Sequence, residues 1–446
     1  MLSDINSAKY KDIKYSYEEY GIKNIKIKNQ DSNIIINDND LYEKRANEYS
    51  IIEYIKTIGK TKYSADFIKI LSNGYYIIGS QDILYIYDNK FLLISSLTTR
   101  CNDWVHSVCE RILYKKKKTQ NNINDNSNIN NEKNDEIKIL CCMNSCIGLL
   151  ELNIPEKKKN LTFIETKYKS PSKKKSKKEK EKEQLGNTYN ICLEMRENNY
   201  VMAGLRGAVY CLNFFGNRIQ IEQIKFSEQS FKSGIKLNEN IVALTSNKVV
   251  PGGSDKLIFY NVKSKNNIEI ENYSFNINEH NMSLITYGKK DSNEKILICA
   301  CKKYYPYQKN GILLINPNLG ENEKIKEPFY ATDNYEVYCF CPILKKIDKN
   351  EFFDDTVFFF VGGFDEKKQR GVIKLYKIIP GEKTVDTKIK FLQNIDFDDN
   401  DKNFNGFDTY IKCMVQSKST GNIIVTCADG NIHLFTKPNL ELYNEN

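Results

Sequence analysis

The stretch YIIGSQDILYIYD at Tyr76–Asp88 decides the fold, because two short apolar strands flank a tight turn and the second ends in an aromatic residue followed by Asp. A similar pattern returns in YVMAGLRGAVYCLN at Tyr200–Asn213 and in NIIVTCADGNIHLF at Asn422–Phe435. A supersecondary unit that recurs along a chain is typical of a solenoid, a propeller or an array. The sequence therefore predicts an all-β repeat architecture.

The recurrence extends from about residue 50 to the end of the chain. Each unit holds short apolar strands separated by turn residues, which is the pattern expected for the blades of a propeller. The units begin near the following stretches: Phe67–Leu97, Val105–Phe163, Ile191–Phe226, Gly234–Tyr273, Ser283–Tyr330, Val337–Ile395, and a seventh from Tyr410. Seven units predict a seven-bladed β-propeller.

The seventh unit lacks sequence for a full fourth strand, since only Leu440–Tyr443 remains. A good strand pattern, Ile51–Ile58, precedes the first unit and has no partner of its own. We expect this strand to pair into the last blade and close the ring, because closure removes exposed strand edges. A pair of β-sandwiches is the alternative architecture.

Composition divides the chain into a polar extension at residues 1–48 and a propeller at residues 49–446. The extension has little periodicity, and we expect most of it to be flexible. Two Lys/Asn-rich inserts interrupt the propeller at residues 115–136 and 167–186, and we expect both to be disordered loops.

Three strand–turn–strand stretches resemble the end of a WD40 repeat: GSQDILYIYD (Gly79–Asp88), GGSDKLIFYN (Gly252–Asn261) and TCADGNIHLF (Thr426–Phe435). In that family an Asp-containing turn leads into a strand that closes with Trp-Asp. Here Tyr87-Asp88 and Tyr260-Asn261 take the place of Trp-Asp. The resemblance implies a divergent WD40-like propeller without the family's His–Asp network.

Most of the net charge of +9 lies in one insert. Residues 156–183 hold twelve Lys and five acidic residues, a net +7, which leaves about +2 for the rest of the chain. The tract Lys173, Lys174, Lys175, Lys177 and Lys178 is a candidate for nuclear import or for contact with phosphates. A solvated loop is the alternative.

Three serines within or beside this tract are candidate phosphorylation sites: Ser170, Ser172 and Ser176. A phosphate on any of them would cancel positive charge locally.

The thirteen Cys and three His do not form a recognisable catalytic or metal motif. Zinc sites need four ligands at matched spacings, which Cys299-x-Cys301 and Cys339-x-Cys341 do not provide. We expect buried thiols in a reducing compartment, no metal, no cofactor and no disulfide framework. The sequence therefore predicts a protein that is not an enzyme.

The acidic stretch DKNFNGFD at Asp401–Asp408 matches the first half of a calcium loop. Asp401, Asn403 and Asn405 place oxygen atoms at alternate positions before Gly406, but Lys412 stands where the loop would need a bidentate Glu. Calcium binding is therefore a candidate, and a solvated acidic turn is the favoured interpretation.

The predicted function is a non-enzymatic protein-interaction scaffold whose rim loops are presented to partner proteins within a multi-protein complex. The alternatives are a nuclear ribonucleoprotein or nucleic-acid-associated propeller that uses the basic insert, a calcium-stabilised propeller, and a hydrolase with carboxylates in the central channel. The N-terminal sequence has no apolar signal region and no run approaches a membrane span, so we expect a cytoplasmic or nuclear protein without membrane insertion.

Overall fold

A computed structural model describes most of the repeat region of this chain and little of its two ends. The described residues are 51–99, 103–111, 137–143, 147–153, 158–164, 189–204, 208–215, 218–226, 230–247, 256–270, 281–287, 294–304, 309–316, 329–343, 357–379, 387–395, 397, 404–440 and 443. The chain forms two compact units, Ile52–Pro438 and a smaller one made of Met1–Ile51 with Asn439–Asn446. In the smaller unit, the backbone N–H of Asn439 donates a hydrogen bond of 2.9 Å to the carbonyl of Ile51.

The larger unit consists of seven antiparallel sheets of four strands each. We number these sheets as blades in chain order. Blade 1 contains β2 (Phe67–Ile70), β3 (Tyr76–Ser80), β4 (Ile83–Tyr87) and β5 (Leu93–Thr98). Blade 2 contains β6 (Val105–Arg111), β7 (Ile137–Met143), β8 (Ile147–Asn153) and β9 (Lys158–Ile164). Blade 3 contains β10 (Tyr189–Arg196), β11 (Asn199–Gly204), β12 (Ala208–Phe215) and β13 (Arg218–Phe226).

The remaining blades follow the same order, except for the last. Blade 4 contains β14 (Ser230–Lys236), β15 (Ile241–Asn247), β16 (Lys256–Asn261) and β17 (Asn267–Ile270). Blade 5 contains β18 (Met282–Tyr287), β19 (Glu294–Tyr304), β20 (Lys309–Ile315) and β21 (Phe329–Asp333). Blade 6 contains β22 (Tyr335–Pro342), β23 (Val357–Asp365), β24 (Arg370–Ile379) and β25 (Lys388–Ile395). Blade 7 contains β26 (Ile411–Gln416), β27 (Ile423–Cys427), β28 (Asn431–Phe435) and β1 (Tyr54–Lys60).

The first strands of the blades form the inner ring of the unit. Each of them contacts the first strand of the next blade, and β26 of blade 7 contacts β2 of blade 1. The fourth strands lie outside, and two of them, β1 and β5, are largely exposed. These contacts define a closed ring, which excludes the alternative of two β-sandwiches.

Strand β1 closes the ring as the fourth strand of blade 7. It pairs antiparallel with β28, and the register joins Lys56 to Leu434 and Lys60 to Asn431. The closing strand was predicted at residues 51–58 and lies at residues 54–60, because the three residues before Tyr54 are not paired in the sheet. The predicted seven blades, their order and their closing strand are confirmed.

Apolar side chains hold each blade against both of its neighbours. Successive side chains of a strand point to opposite faces of its sheet, so one strand supplies two interfaces. In β3, Tyr76 and Ile78 pack between blades 1 and 7, whereas Ile77 packs between blades 1 and 2. Clusters of the same kind join blades 2 through 6, and Gly362 of blade 6 packs against Ile411 and Met414 of blade 7. The core is therefore a continuous belt around the ring.

The Asp or Asn that ends the repeated stretch caps a turn. Carboxylate oxygen Oδ1 of Asp88 accepts hydrogen bonds from the backbone N–H groups of Lys90 (2.8 Å) and Leu92 (2.9 Å). In blade 4, the side-chain oxygen of Asn261 accepts from the N–H groups of Lys263 and Ser264, both at 3.0 Å. Such Asx turns reverse the chain between the third and fourth strands. The recurring pattern is therefore a turn signal as well as a strand signal.

Antiparallel order gives the ring two faces. All first strands begin on one face, here called the top face, and all fourth strands begin on the other, here called the bottom face. The extension at residues 1–48 and the inserts at 115–136 and 167–186 lie outside the described residues, so their predicted disorder stays a prediction.

Truncation tests the closing strand. A protein that begins at residue 61 lacks β1, leaves the edge of β28 unpaired and exposes part of the cluster between blades 7 and 1. We expect its free energy of unfolding to fall by roughly 5 kcal/mol, the scale of a lost strand ladder plus apolar burial. Urea unfolding followed by circular dichroism measures this, and a protein that begins at residue 52 is the matched control. Equal stability of the two proteins would contradict the closure.

Candidate partner-binding surface

The predicted buried thiols are confirmed for the part of the chain that the structure describes. All eleven described Cys are buried, and none of these eleven forms a disulfide. Burial raises the pKa of Cys211 to about 11 and that of Cys341 to about 12. Both thiols are therefore protonated at neutral pH, which makes them poor nucleophiles and poor metal ligands. Within the described ranges, no group of three or more His, Cys, Asp or Glu is arranged to hold a metal ion.

Two carboxylates occur on neighbouring inner strands, where the hydrolase alternative would need them. Glu110 of β6 is engaged, because its carboxylate accepts hydrogen bonds from the N–H of Ser72 (2.8 Å) and from the hydroxyl of the same residue. Burial raises the pKa of Glu194 on β10, and the nearby ammonium group of Lys236 acts in the opposite direction. The Glu110 carboxylate is thus occupied by Ser72, and its negative charge acts with burial to raise the pKa of Glu194.

The candidate calcium loop is partly described. Asp401 and Asn403 lie outside the described residues, whereas Asn405 is exposed and Gly406 has a φ of 99°. Phe404 and Phe407, which flank them, are buried against blade 7. The described half of the motif therefore packs a loop against the blade, and calcium binding stays an untested candidate beside the favoured acidic turn.

An aromatic cluster surrounds His433 beside the closing strand. Its members are Tyr54, Phe397, Phe404, Phe407, His433 and Phe435. Phe404 stacks on Tyr54 of β1 with ring centroids 4.5 Å apart. Ring nitrogen Nδ1 of His433 lies 3.1 Å from the hydroxyl oxygen of Thr57. Burial lowers the pKa of His433 to about 4, although Asp429 acts to raise it. His433 is therefore neutral at physiological pH and has a packing role.

Eight large apolar side chains are exposed in the described part of the chain: Ile55, Leu92, Leu93, Ile94, Trp104, Phe215, Ile379 and Phe391. Four of them are spread over other blades and loops. The other four, Ile55, Leu92, Leu93 and Ile94, lie on blades 7 and 1, which the closing strand brings together. We call these four residues the seam surface.

The turn before β5 leaves the side chains of Leu92 and Leu93 exposed to solvent. Phe91 has a φ of 64°, a left-handed conformation that is rare for a bulky residue, and its ring is buried on Tyr76 at a centroid distance of 4.9 Å. Burial of the Phe91 ring against Tyr76 compensates the cost of this backbone conformation. The next two residues, Leu92 and Leu93, are 60% and 53% exposed.

The other half of the seam surface comes from a bulge in β1. The pairing register shifts between Tyr54 and Lys56, so Ile55 is the extra residue and is 44% exposed. Leu93 pairs with Tyr87, whose ring faces the cluster between blades 1 and 7. Since β1 and β5 both begin on the bottom face, Ile55 and Leu93 lie at the same end of adjacent blades. The seam surface is therefore a set of exposed apolar side chains at the bottom end of the adjacent blades 7 and 1.

The described strands define a seven-bladed β-propeller. No protein-family model matches the chain, and no curated protein sequence matches it either. Among solved structures, the chain is similar to the crystal structure of the β-propeller domain of Cps50 (Swd1) from Myceliophteria thermophila. The identity is 7%, the match covers 86% of this chain and 99% of that one, and the TM-score is 0.47. The class of this protein rests on its own seven blades and their closure rather than on this likeness.

Several predicted site residues lie outside the described residues. These are Lys173, Lys174, Lys175, Lys177 and Lys178, together with Ser170, Ser172 and Ser176. The seam surface was not predicted, because an apolar run such as FLLIS is expected to be buried in a strand. Their exposure follows from the fold, because Leu93 begins the outermost strand of blade 1 and Leu92 lies in the turn before it.

The pKa of His433 predicts a pH dependence of stability. An unfolded His binds a proton near pH 6.5, whereas the folded one binds it only near pH 4. The stabilisation is therefore complete above pH 6.5 and is lost as the pH falls toward 4, by roughly 3 kcal/mol. Urea unfolding at pH 7 and pH 4.5 measures it. The variant His433→Gln should lose less stability over this range, and an identical pH dependence would contradict the assignment.

A melt with and without calcium tests the remaining metal candidate. We expect equal midpoints in calcium and in chelator, because the described flanks of the motif are fixed by Phe404 and Phe407 rather than by an ion. A ligand that binds only the folded state would raise the midpoint. A higher midpoint in calcium that disappears in the variant Asn405→Ala would establish a calcium site.

Proposed function

We propose that this propeller is a non-enzymatic scaffold that presents its rims to partner proteins within a multi-protein complex. The observation that carries the proposal is the seam surface, since exposed apolar side chains grouped in one region commonly mark interaction sites. Single exposed apolar residues need no such explanation, but four at the same end of two adjacent blades do.

The construction of the ring supports this role. Apolar clusters fix each blade on two sides, so side chains at the strand ends are held in place without partners. A surface that is ordered before binding loses less conformational entropy when a partner arrives. The described thiols are buried and the carboxylate of Glu110 is occupied by Ser72, so neither adds support for catalysis. We place the protein in the cytoplasm or nucleus, where the many thiols would remain reduced.

No membrane-spanning helix is found among the described residues.

Affinity purification of the tagged full-length protein under native conditions, followed by mass spectrometry, tests the scaffold role. We expect partner proteins at stoichiometric amounts that remain bound through size-exclusion chromatography. A protein that elutes alone from every extract would contradict the proposal. The same purification with Phe215→Asp, which alters an exposed residue of blade 3, controls for non-specific binding of proteins to exposed apolar side chains.

The net +7 of residues 156–183 supports nucleic-acid association as a second candidate function. Binding through lysines would weaken steeply as salt rises, because counterions released from phosphates oppose it. A titration of labelled RNA against the full-length protein and against a version without residues 167–186 separates the two functions. Equal affinity of both proteins would exclude the basic insert as a nucleic-acid site.

A further inference from the structure

We propose that the seam surface binds an acidic peptide segment of a partner protein, one that carries bulky apolar side chains among its carboxylates. This inference rests on the proposed scaffold function and adds the place of binding and the chemistry of the partner. It follows from two independent properties of the same junction, namely exposed aliphatic side chains and the positive charge beside them.

The apolar component is preorganised. Asp88 holds the turn that precedes Leu92, and buried Phe91 fixes the turn against Tyr76. Leu93 and Ile94 then continue along the outer strand, and both are exposed. An apolar side chain of a partner that covers these residues gains the transfer free energy of burial with little loss of order on this side.

Four exposed lysines lie at the same end of blades 7 and 1 as the seam surface: Lys56, Lys90, Lys418 and Lys437. Lys56 pairs in register with Leu434, whose side chain belongs to the cluster between blades 7 and 1. Lys90 lies in the Asp88 turn, next to Phe91. The ammonium groups of these lysines form no ion pair with the residues that the structure describes.

The other two lysines come from the bottom face of blade 7. Lys418 lies in the loop between β26 and β27, and the stem of Lys437 packs against Gly421 of the same loop. That loop is tied to blade 1, because the hydroxyl of Tyr76 donates a 2.9 Å hydrogen bond to the hydroxyl oxygen of Ser417. All four lysines therefore lie at the bottom end of blades 7 and 1.

The charge balance of the junction favours an anionic partner. Among the residues that the structure describes, two acidic ones, Asp88 and Glu53, stand at the same end of these blades. The carboxylate of Asp88 is occupied by the turn, and Glu53 is exposed. Four lysines against these two acids give the described part of this end a positive charge beside its exposed apolar side chains. Complementary charge of this kind raises the association rate and selects the partner.

The apolar side chains distinguish a peptide from a nucleic acid. Those of the seam surface are aliphatic, whereas single-stranded nucleic acids need aromatic rings on which bases stack. A peptide that alternates carboxylates with Leu or Phe complements both the lysines and the apolar side chains. The surface therefore fits an acidic, apolar peptide best.

Fluorescence anisotropy with labelled synthetic peptides tests the inference on the full-length protein. The probe is a peptide of about 12 residues that alternates Asp or Glu with Leu or Phe. One matched peptide replaces each acid by Lys, and a second replaces each Leu or Phe by Ser. We expect the probe to bind at least about tenfold tighter than either matched peptide. Equal binding of all three, or no binding of the probe, would overturn the inference.

Two variants locate the binding. Leu92→Asp with Leu93→Asp should abolish binding of the probe, while Phe215→Asp, equally exposed on blade 3, should leave it unchanged. Lys90→Glu with Lys437→Glu should weaken binding of the acidic probe by about tenfold and strengthen binding of the peptide that carries Lys in place of the acids. Lys263→Glu with Lys367→Glu is the matched control at exposed lysines on other blades. Melting curves verify that each variant is folded, and indistinguishable affinities of seam and control variants would place the site elsewhere.

Further arms separate the competing outcomes. Vesicles that contain phosphatidylserine test for a lipid ligand. If they bind the unaltered protein but not the seam variants, and the peptide does not bind, the seam surface recognises a lipid surface and the inference is overturned. If native purification recovers the same partners with Leu92→Asp and Leu93→Asp as without them, the scaffold function stands and the seam surface is excluded as their site. If no partner is recovered with the unaltered protein but the probe binds the seam, the scaffold function fails by itself.

Discussion

The pairing of β1 with β28 is the contact on which the rest of the structure depends. It joins residues that are about as far apart in sequence as the ring allows, from Lys56 with Leu434 to Lys60 with Asn431. Without it, blade 7 has three strands and an open edge, which invites pairing with other chains. With it, the edge of β28 is paired, and Ile58 of β1 packs against the apolar cluster between blades 7 and 1. The aromatic cluster strengthens the same closure, because Phe404 from the loop before blade 7 stacks on Tyr54 of β1.

Much of this fold could be predicted from the sequence, because strands with a period of two and turns rich in Asp, Asn and Gly are local signals. The unit predicted at Phe67–Leu97 ends one residue short of blade 1, which ends at Thr98. The closing strand was displaced by two or three residues, since Ile51 and Ile52 are apolar and buried although no strand includes them. Asp88, predicted as a substitute within a Trp-Asp pair, caps the turn before β5.

The functional surface was harder to predict, for a physical reason. Whether Leu92 and Leu93 are buried depends on which blade covers β5 and on the left-handed turn at Phe91, and neither is a local property of the sequence. The surroundings of His433 are likewise set by a distant loop, through Phe404 and Phe407. Closure also brings the parts of the seam surface to one region, because Ile55 and Leu93 belong to blades that only the closed ring makes adjacent. The fold and the proposed binding site thus share one cause.

Hydrogen exchange measured by mass spectrometry on the full-length protein tests the closure most directly. The backbone amides of β1, Tyr54–Lys60, should be as protected as those of β28, Asn431–Phe435, and both should exchange only when the whole ring unfolds. Rapid exchange in β1, at the rate of an unpaired segment and while β28 or the inner strands stay protected, would contradict the account.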